Sequence, residues 1–473
     1  MLFNTLTFVG FFIVVFGLYV VLNHRRQNVL LLISSYIFYG AWDYRFLLLL
    51  MLSTCIDYAV GNAIDRQDNQ KDRKRWLIIS LITNLGILGF FKYFNFFADS
   101  LVDLASSLGF TVSPVTLQII LPVGVSFYTF QSMSYTIEIY RGRLKPCSSL
   151  FDFAVYVSFF PQLVAGPIER ATHLIQQVIT PRIVTLEKIG SGLALVLLGF
   201  FKKVVMADNL APTVATIFSK GGNYTGEDVL IGTIFFAFQI YGDFSGYTDI
   251  ARGIARMLGF DLMINFRQPY FARDPSDFWQ RWHISLSSWL RDYLYIPLGG
   301  NRGSRWLTNR NLMLTMLLGG LWHGAAWNFV LWGLYHGLLL VGYRVFSESR
   351  LAAGASSQQS SLFGTIAATF VMFLFTLYGW LLFRAQSGQQ ILEMTAALVH
   401  FTSFSPVVTQ LAKLIFFAWP VVLLDYIQFR ARDDEPALMR FPLALQAAGY
   451  AGLFIMFVMF GQYEGASFIY FQF

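Results

Sequence analysis

Charge is scarce in this sequence. Only 13% of its 473 residues are Asp, Glu, Lys or Arg, where a soluble globular protein carries about a quarter, and this excludes a soluble core under a water-facing surface. Cysteine is scarcer still. Cys55 and Cys147 cannot build a disulfide framework and have no metal-ligand spacing, which leaves both as ordinary thiols; Cys147 lies beside a basic stretch where lipidation is the only other role to weigh. There is no HExxH, no CxxC, and no group of carboxylates and histidines at ligand spacing, so no metal site is expected. GxSxG elbows and Walker loops are absent too, as are long linkers, low-complexity tracts and fixed-period repeats. The expectation is one continuous domain over residues 1–473.

What is present is apolar. Hydrophobic residues make up 56% of the chain, with long runs from Phe3 to Leu22, Trp76 to Phe97, Leu362 to Phe383 and Phe441 to Phe460. Each approaches the roughly 20 residues that a helix needs to cross hydrocarbon. Shorter runs fill much of the remainder, predicting an all-α polytopic membrane protein of roughly ten to thirteen transmembrane or re-entrant elements. Aromatic residues reach 18%, more than interfacial belts require, which suggests a packed, aromatic-lined central cavity.

Basic clusters set an orientation. No Lys or Arg precedes the first apolar run, so it does not read as a cleavable signal; His24, Arg25 and Arg26 follow it and place that loop in the cytoplasm. Lys71, Arg73, Lys74 and Arg75, then Arg141, Arg143 and Lys145, fall on the same side. The net charge of +7 sits largely in such loops and therefore does not indicate nucleic-acid binding, though it suits an anionic substrate arriving from the cytoplasm.

Between about Pro122 and Gly337 the apolar runs are repeatedly broken by polar, charged and Gly-Pro residues, and function is expected there. Ser158 to Arg170, SFFPQLVAGPIER, reads either as a re-entrant segment or as a kinked helix and loop. Asp274 to Pro297 predicts one amphipathic helix capped by Asp274 or Ser276. Its stripe of Phe278, Trp282, Trp289 and Tyr293 alternates with Arg281, Ser285, Ser288 and Asp292. Trp anchoring in the interface is one reading. Lining of a polar cavity is favoured, because His283, Arg291 and Asp292 would be needless on an anchoring face.

Six histidines occur, of which His173, His283, His323 and His336 invite comparison and His24 and His400 flank apolar runs. His323 stands in LLGGLWHGAAWNF, with Gly319, Gly320 and Gly324 clearing space around it. An ionisable group between two apolar runs marks a functional site by default. His336 lies 13 residues on; along one continuous helix that is a rotation of about 220° and a rise of about 20 Å, which assigns it a structural role or a second cavity. With no metal motif, the remaining chemistry is acid–base work by histidine, for which acyl transfer is the minimal fit. The tail FIYFQF is apolar where a C-terminus is usually polar; alone, it reads as an interfacial belt.

Several segments together resemble the membrane-bound O-acyltransferase family, in the bacterial branch that contains the alginate O-acetylase. They are LPVGVSFYTFQSMSYTIEIYRG from Leu121, FFPQLVAGPIER from Phe159, GDFSGYTDIARG from Gly242, DFWQRWHISLSSWLRDYLYIPLGGNR from Asp277, and LTMLLGGLWHGAAWNF. The resemblance implies the family's helical fold and makes His323, in the WHG motif, the catalytic base. It maps a second family position onto His283, in an orienting or acyl-contacting role. Phe468-x-Tyr470-x-x-Phe473 is similar to the FxYxxF motif of a small partner peptide in D-alanyl transfer to teichoic acids, which implies an acyl relay through Tyr470.

The resemblance further implies acetyl-CoA as acyl donor and a bacterial inner-membrane location. An extracytoplasmic SGNH-type transferase would then hand the acetyl group to a polysaccharide acceptor. The rival from another class is a transporter or flippase for a polymer or lipid-linked sugar, with the histidines in a proton relay.

Overall fold

Polar side chains set where most helices begin. Thr5 caps the N–H of Phe8, Asn23 that of Arg26, Asp43 that of Arg45, Ser304 that of Leu307 and Ser361 that of Gly364, each satisfying a donor without an intrahelical partner. The fold, a computed structural model, is described for residues 1–112, 116–163, 166–352, 361–403, 405–463 and 468–469. Among these every regular element is helical.

The chain divides into two compact units, residues 1–196 with 251–263, and residues 197–250 with 264–473. The first unit holds α1 (Leu6–Val21), α2 (His24–Gly40), α3 (Tyr44–Asp65), α4 (Gln70–Leu88), α5 (Phe94–Ser107), α6 (Val125–Tyr140), α7 (Leu150–Ser158), α8 (Phe160–Leu163), α9 (Ala171–Ile179) and most of α10 (Leu186–Phe200). The second begins where α10 passes through a π-helical turn, Phe201–Ala207, into α11 (Asp208–Phe218). Most of α12 (Gly226–Met257) belongs to it, followed by α13 (Pro275–Trp279), α14 (Ile284–Leu290), α15 (Arg305–His323), α16 (Trp327–Ala352), α17 (Leu362–Arg384), α18 (Gly388–Ala397), α19 (Ser405–Ala431) and α20 (Leu443–Phe460).

Eight helical stretches among the described residues are long and apolar enough to cross a membrane: 44–65, 70–107, 186–218, 226–257, 327–350, 362–384, 405–431 and 443–460. The chain is therefore a multi-pass membrane protein. The first apolar run gives only the 16-residue α1, because the Thr5 and Asn23 caps remove residues at both ends. One shorter apolar helix, α1, stands beside these eight among the described residues. Residues 159–163 and 166–169 are buried, so these described parts of the SFFPQLVAGPIER segment lie within protein.

The first unit is held by polar clusters as well as apolar packing. Asp57 of α3 accepts from Ser80 Oγ at 2.6 Å and from Asn84 Nδ2 at 2.9 Å, both on α4. Arg182 donates to Tyr19, Asn28 and the Gln177 and Val178 carbonyls, filling its guanidinium fork.

In the second unit α15 and α16 form a tight antiparallel hairpin. A Cβ on Gly320 would stand 2.3 Å from the Phe329 carbonyl oxygen, and one on Gly333 2.4 Å from that of Met316, so only glycine permits this approach. The hairpin corrects the geometry expected for His336: α15 stops at His323, and the helix that carries His336 is a separate one running back alongside.

The single helix expected over Asp274–Pro297 is likewise corrected. Asp274 does cap it and Pro275 takes the first position, but α13 ends at Trp279 and α14 restarts at Ile284. Between them His283 adopts left-handed backbone angles, φ 44° and ψ 53°, which cannot continue a right-handed helix. A π turn, Arg291–Tyr295, follows.

Candidate active site

His323 is the last residue of α15, and the backbone turns extended at Gly324. A Cβ on Gly324 would meet the Phe329 ring at 2.1 Å, so the glycine lets the returning helix close over the histidine. The imidazole is 3% exposed and sits in an aromatic shell of Trp322, Trp332 and Phe383, with ring centres 5.1, 5.0 and 5.4 Å away. At a helix C-terminus the aligned peptide dipoles favour the positive charge that a base acquires.

His283, wholly buried, brings its ring centre within 6.4 Å of that of His323. The strained backbone at His283 is what turns its side chain inward, and Asn265 holds it there. Asn265 Oδ1 accepts from the Ser285 backbone N–H at 3.2 Å and from Ser285 Oγ at 2.9 Å, while its backbone carbonyl accepts from the Ile284 N–H at 2.9 Å.

The same Oδ1 lies 3.0 Å from His283 Nδ1. Because the Ser285 N–H can only donate, the shared atom is an oxygen, and Nδ1 must carry the proton. Burial pushes the pKa of His283 down to about 3, so the ring is neutral with its lone pair on Nε2. In that form Nε2 accepts a hydrogen bond and donates none.

A cavity of about 190 Å³ opens beside His323, bounded by Trp279, Ser287, Leu290, Gly319 and Trp332, with Arg291 and Tyr295 along the same wall. The segment after His283 thus lines a cavity, but an apolar one where a polar cavity was expected. Arg291 and Asp292 pair with each other at 2.8 Å, as their adjacency suggested. His336 is excluded from the pair by Trp332, whose ring contacts both His323 at 5.0 Å and His336 at 4.7 Å; His336 stacks on Phe278 as a buried packing residue. In the first unit His173 bonds Glu169 at 2.8 Å.

Tyr470 lies outside the described residues, but the two residues that lead to it are placed. Phe468 and Ile469 are buried, at 0% and 2% exposure. Phe468 packs on Tyr247 and Phe244, at 4.4 and 5.9 Å between ring centres, and Phe244 in turn meets His283 at 4.7 Å. The Ile469 N–H donates to Asp243 Oδ2 at 2.6 Å. Asp243 Oδ1 pairs with Lys203 at 2.8 Å, and Lys203 with Asp208 at 2.8 Å. The tail therefore docks, by its own backbone, on a buried charge cluster one aromatic ring away from His283.

Sequence reasoning missed Asn265, Lys203, Asp208 and Asp243. The signal for the last three was charge inside apolar helices: Lys202 and Lys203 interrupt FFKKVVMAD, and the π turn there aims Lys203 at Asp243 while Lys202 reaches Asp249 at 2.7 Å. Asn265 sits in an extended loop and carries no local signal. No group of three or more metal-ligating side chains occurs among the described residues.

The sequence matches the model of the membrane-bound O-acyltransferase family over residues 45–383. It is 39% identical over 462 residues to the probable alginate O-acetylase AlgI of Pseudomonas putida, covering 96% of this chain and 93% of that protein. To the probable alginate O-acetylase AlgI of Pseudomonas aeruginosa it is 43% identical over 403 residues, 85% of this chain and 75% of the other. The peptidoglycan O-acetyltransferase of Helicobacter pylori is 36% identical over 437 residues, 86% and 81% of the two chains. With paired buried histidines at its centre and a family match spanning most of its length, the chain belongs to the membrane-bound O-acyltransferase family.

Proposed function

We propose that this membrane O-acyltransferase carries acetyl from acetyl-CoA, at the cytoplasmic face of a bacterial inner membrane, to Tyr470 on the outer side. An SGNH-type transferase then moves the acetyl group onto a polysaccharide. The observation that carries this reading is the union of His283, His323 and the docked tail in one buried aromatic shell. The names of the alginate and peptidoglycan O-acetyltransferase relatives support a glycan acceptor.

The step balances with the residues named. His323 takes the phenol proton of Tyr470, and the phenolate oxygen attacks the acetyl carbonyl. The C–S bond breaks and the imidazolium returns its proton to the departing thiolate, leaving a tyrosyl acetate and free CoA. His283, neutral and oriented by Asn265, accepts through Nε2 and so orients the attacking hydroxyl. Enclosure by tryptophan and phenylalanine excludes the water that would hydrolyse the ester. A phenol, with pKa about 10, leaves more easily than a sugar alcohol, so the tyrosyl ester remains an activated donor.

Topology agrees with an outward-facing tail. Arg430, Arg432 and Arg440 precede α20 and mark its cytoplasmic end, so α20 runs outward towards the tail. Only the acetyl group then needs to cross. The test is CoA release from acetyl-CoA by purified protein in vesicles with no ion gradient. Gradient-free, His323-dependent release with acetyl transfer to the added SGNH-type partner supports the reading, and dependence on a gradient would point to transport instead.

A further inference from the structure

A second, larger site lies within the same unit, away from the histidines. A cavity of about 650 Å³ runs between α17 and α19, walled by Ile366, Thr369, Phe370, Phe373, Val421 and Tyr426. That is the size of a ligand cavity. Its walls are open to hydrocarbon instead of enclosed: Leu362, Ile366 and Phe370 are 78%, 59% and 60% exposed, and Tyr426 is 49% exposed. A closed substrate tunnel would not present these faces.

One end of the groove is strongly basic. Arg273, Arg430, Gln268 and Phe429 line both this cavity and an adjoining one of about 850 Å³, which adds Arg267, Arg281 and Arg432 and the acids Asp433 and Asp434. Counting Asp425, which lines the larger cavity and accepts from the Tyr241 hydroxyl, five arginines face three aspartates, a lining excess of two positive charges. The acids are committed. Asp434 takes Arg267 at 2.8 Å, Asp433 takes Arg440, and the nearby Asp277 takes Arg281 at 2.6 Å with Arg273 more distant at 3.8 Å. No ion pair among the described residues engages Arg430 or Arg432.

We propose that this groove binds an anionic diacyl phospholipid of the cytoplasmic leaflet, with its phosphate at Arg273, Arg430 and Arg432 and an acyl chain along Ile366, Thr369 and Phe373. Charge complementarity selects this occupant, because basic pockets between transmembrane helices on the cytoplasmic side suit anionic headgroups. The arginine end is also the end that carries the basic stretch after α19, where the positive-inside tendency places the cytoplasm. An apolar channel headed by cations matches an amphiphile whose chain stays in the bilayer. A nucleotide thioester would place its phosphates in the same arginines but would leave the lipid-facing groove empty.

The experiment is native mass spectrometry of the purified full chain, delipidated in detergent and titrated with phosphatidylglycerol, phosphatidylcholine, CoA and inorganic phosphate. Phosphatidylglycerol is expected to bind stoichiometrically and in preference to phosphatidylcholine. Arg273→Gln and Arg430→Gln should each weaken it about fivefold, as loss of one basic contact near an anionic headgroup implies. Thr369→Trp, which fills the groove and keeps all five arginines, should weaken it as well. Equal binding of phosphatidylcholine would overturn the proposal, as would displacement of the lipid by CoA or phosphate. Retention of full affinity in Thr369→Trp would do the same, since the headgroup alone would then account for binding.

Discussion

Asn265 fixes which nitrogen of His283 bears the proton: its Oδ1 is 3.0 Å from Nδ1 and is shown to be oxygen by the Ser285 N–H that it also accepts. A loop residue thereby determines the protonation form of a buried histidine beside His323. Asn265→Ala removes the acceptor for three donors at once and should cost about 1–3 kcal/mol of stability. Acetyl transfer should fall by about 100-fold, as for a misplaced orienting group beside the reacting atoms. Asn265→Asp should instead raise the pKa of His283 and shift the pH–rate profile upward, which a profile unchanged from wild type would contradict.

The left-handed backbone of His283 allows fold and chemistry to be separated at a single position. His283→Gly accepts φ 44° without strain, whereas His283→Ala keeps a penalty of about 1 kcal/mol. The glycine variant should melt no lower than the alanine variant, and both should lack acetyl transfer. Melting curves in detergent together with a CoA-release assay decide this; an active glycine variant would remove His283 from the mechanism.

Docking of the tail rests on Asp243 and on the Phe468 ring. Phe468→Ala leaves the Lys203–Asp243–Asp208 charges intact and should loosen the tail by about 3 kcal/mol, as deletion of a buried phenyl ring does. Carboxypeptidase should trim this variant faster than wild type while the helical core melts as before. Asp243→Ala should expose the tail to the same trimming and, by leaving a buried cation with one partner fewer, also lower the melting temperature. Unchanged trimming in both variants would mean that the tail is held elsewhere.

A pH effect is expected in the first unit. Burial pushes the Glu169 carboxyl pKa up, and the hydrogen bond that His173 donates to Glu169 raises that of His173. A histidine whose pKa is raised in the folded state contributes stability that is complete below its ordinary value of about 6.5 and is lost as pH rises through the raised one. His173→Gln should remove the histidine's share of that decline and leave the share due to Glu169, so the gap between the wild-type and variant melting temperatures should narrow as pH rises through the raised pKa. Parallel curves across this window would show that the pair does not titrate as described.

Part of the candidate site was legible in residue chemistry. A histidine in an apolar, glycine-flanked segment needs a reason to be there, and this reasoning reached His323; the tryptophan-rich segment pointed to His283. The boundaries were less legible. A single helix over Asp274–Pro297 fits the periodicity, but the Asn265 contacts that hold His283 left-handed come from a loop 18 residues upstream, which no window of periodicity samples. His336 was placed 20 Å away on a continuous helix that Gly324 in fact ends. The Lys203–Asp243 pair joins residues 40 positions apart, and only their cost at membrane depth hinted that they must meet.

The most direct test of the proposed relay is the intact mass of the purified protein after incubation with isotope-labelled acetyl-CoA, followed by mapping of the C-terminal peptide that contains Tyr470. One labelled acetyl group on Tyr470 is expected in the wild type. It should be absent from Tyr470→Phe, and absent from a His323→Ala variant that remains folded and inserted. No adduct on Tyr470, with or without the SGNH-type partner, or full labelling in His323→Ala, would contradict the account.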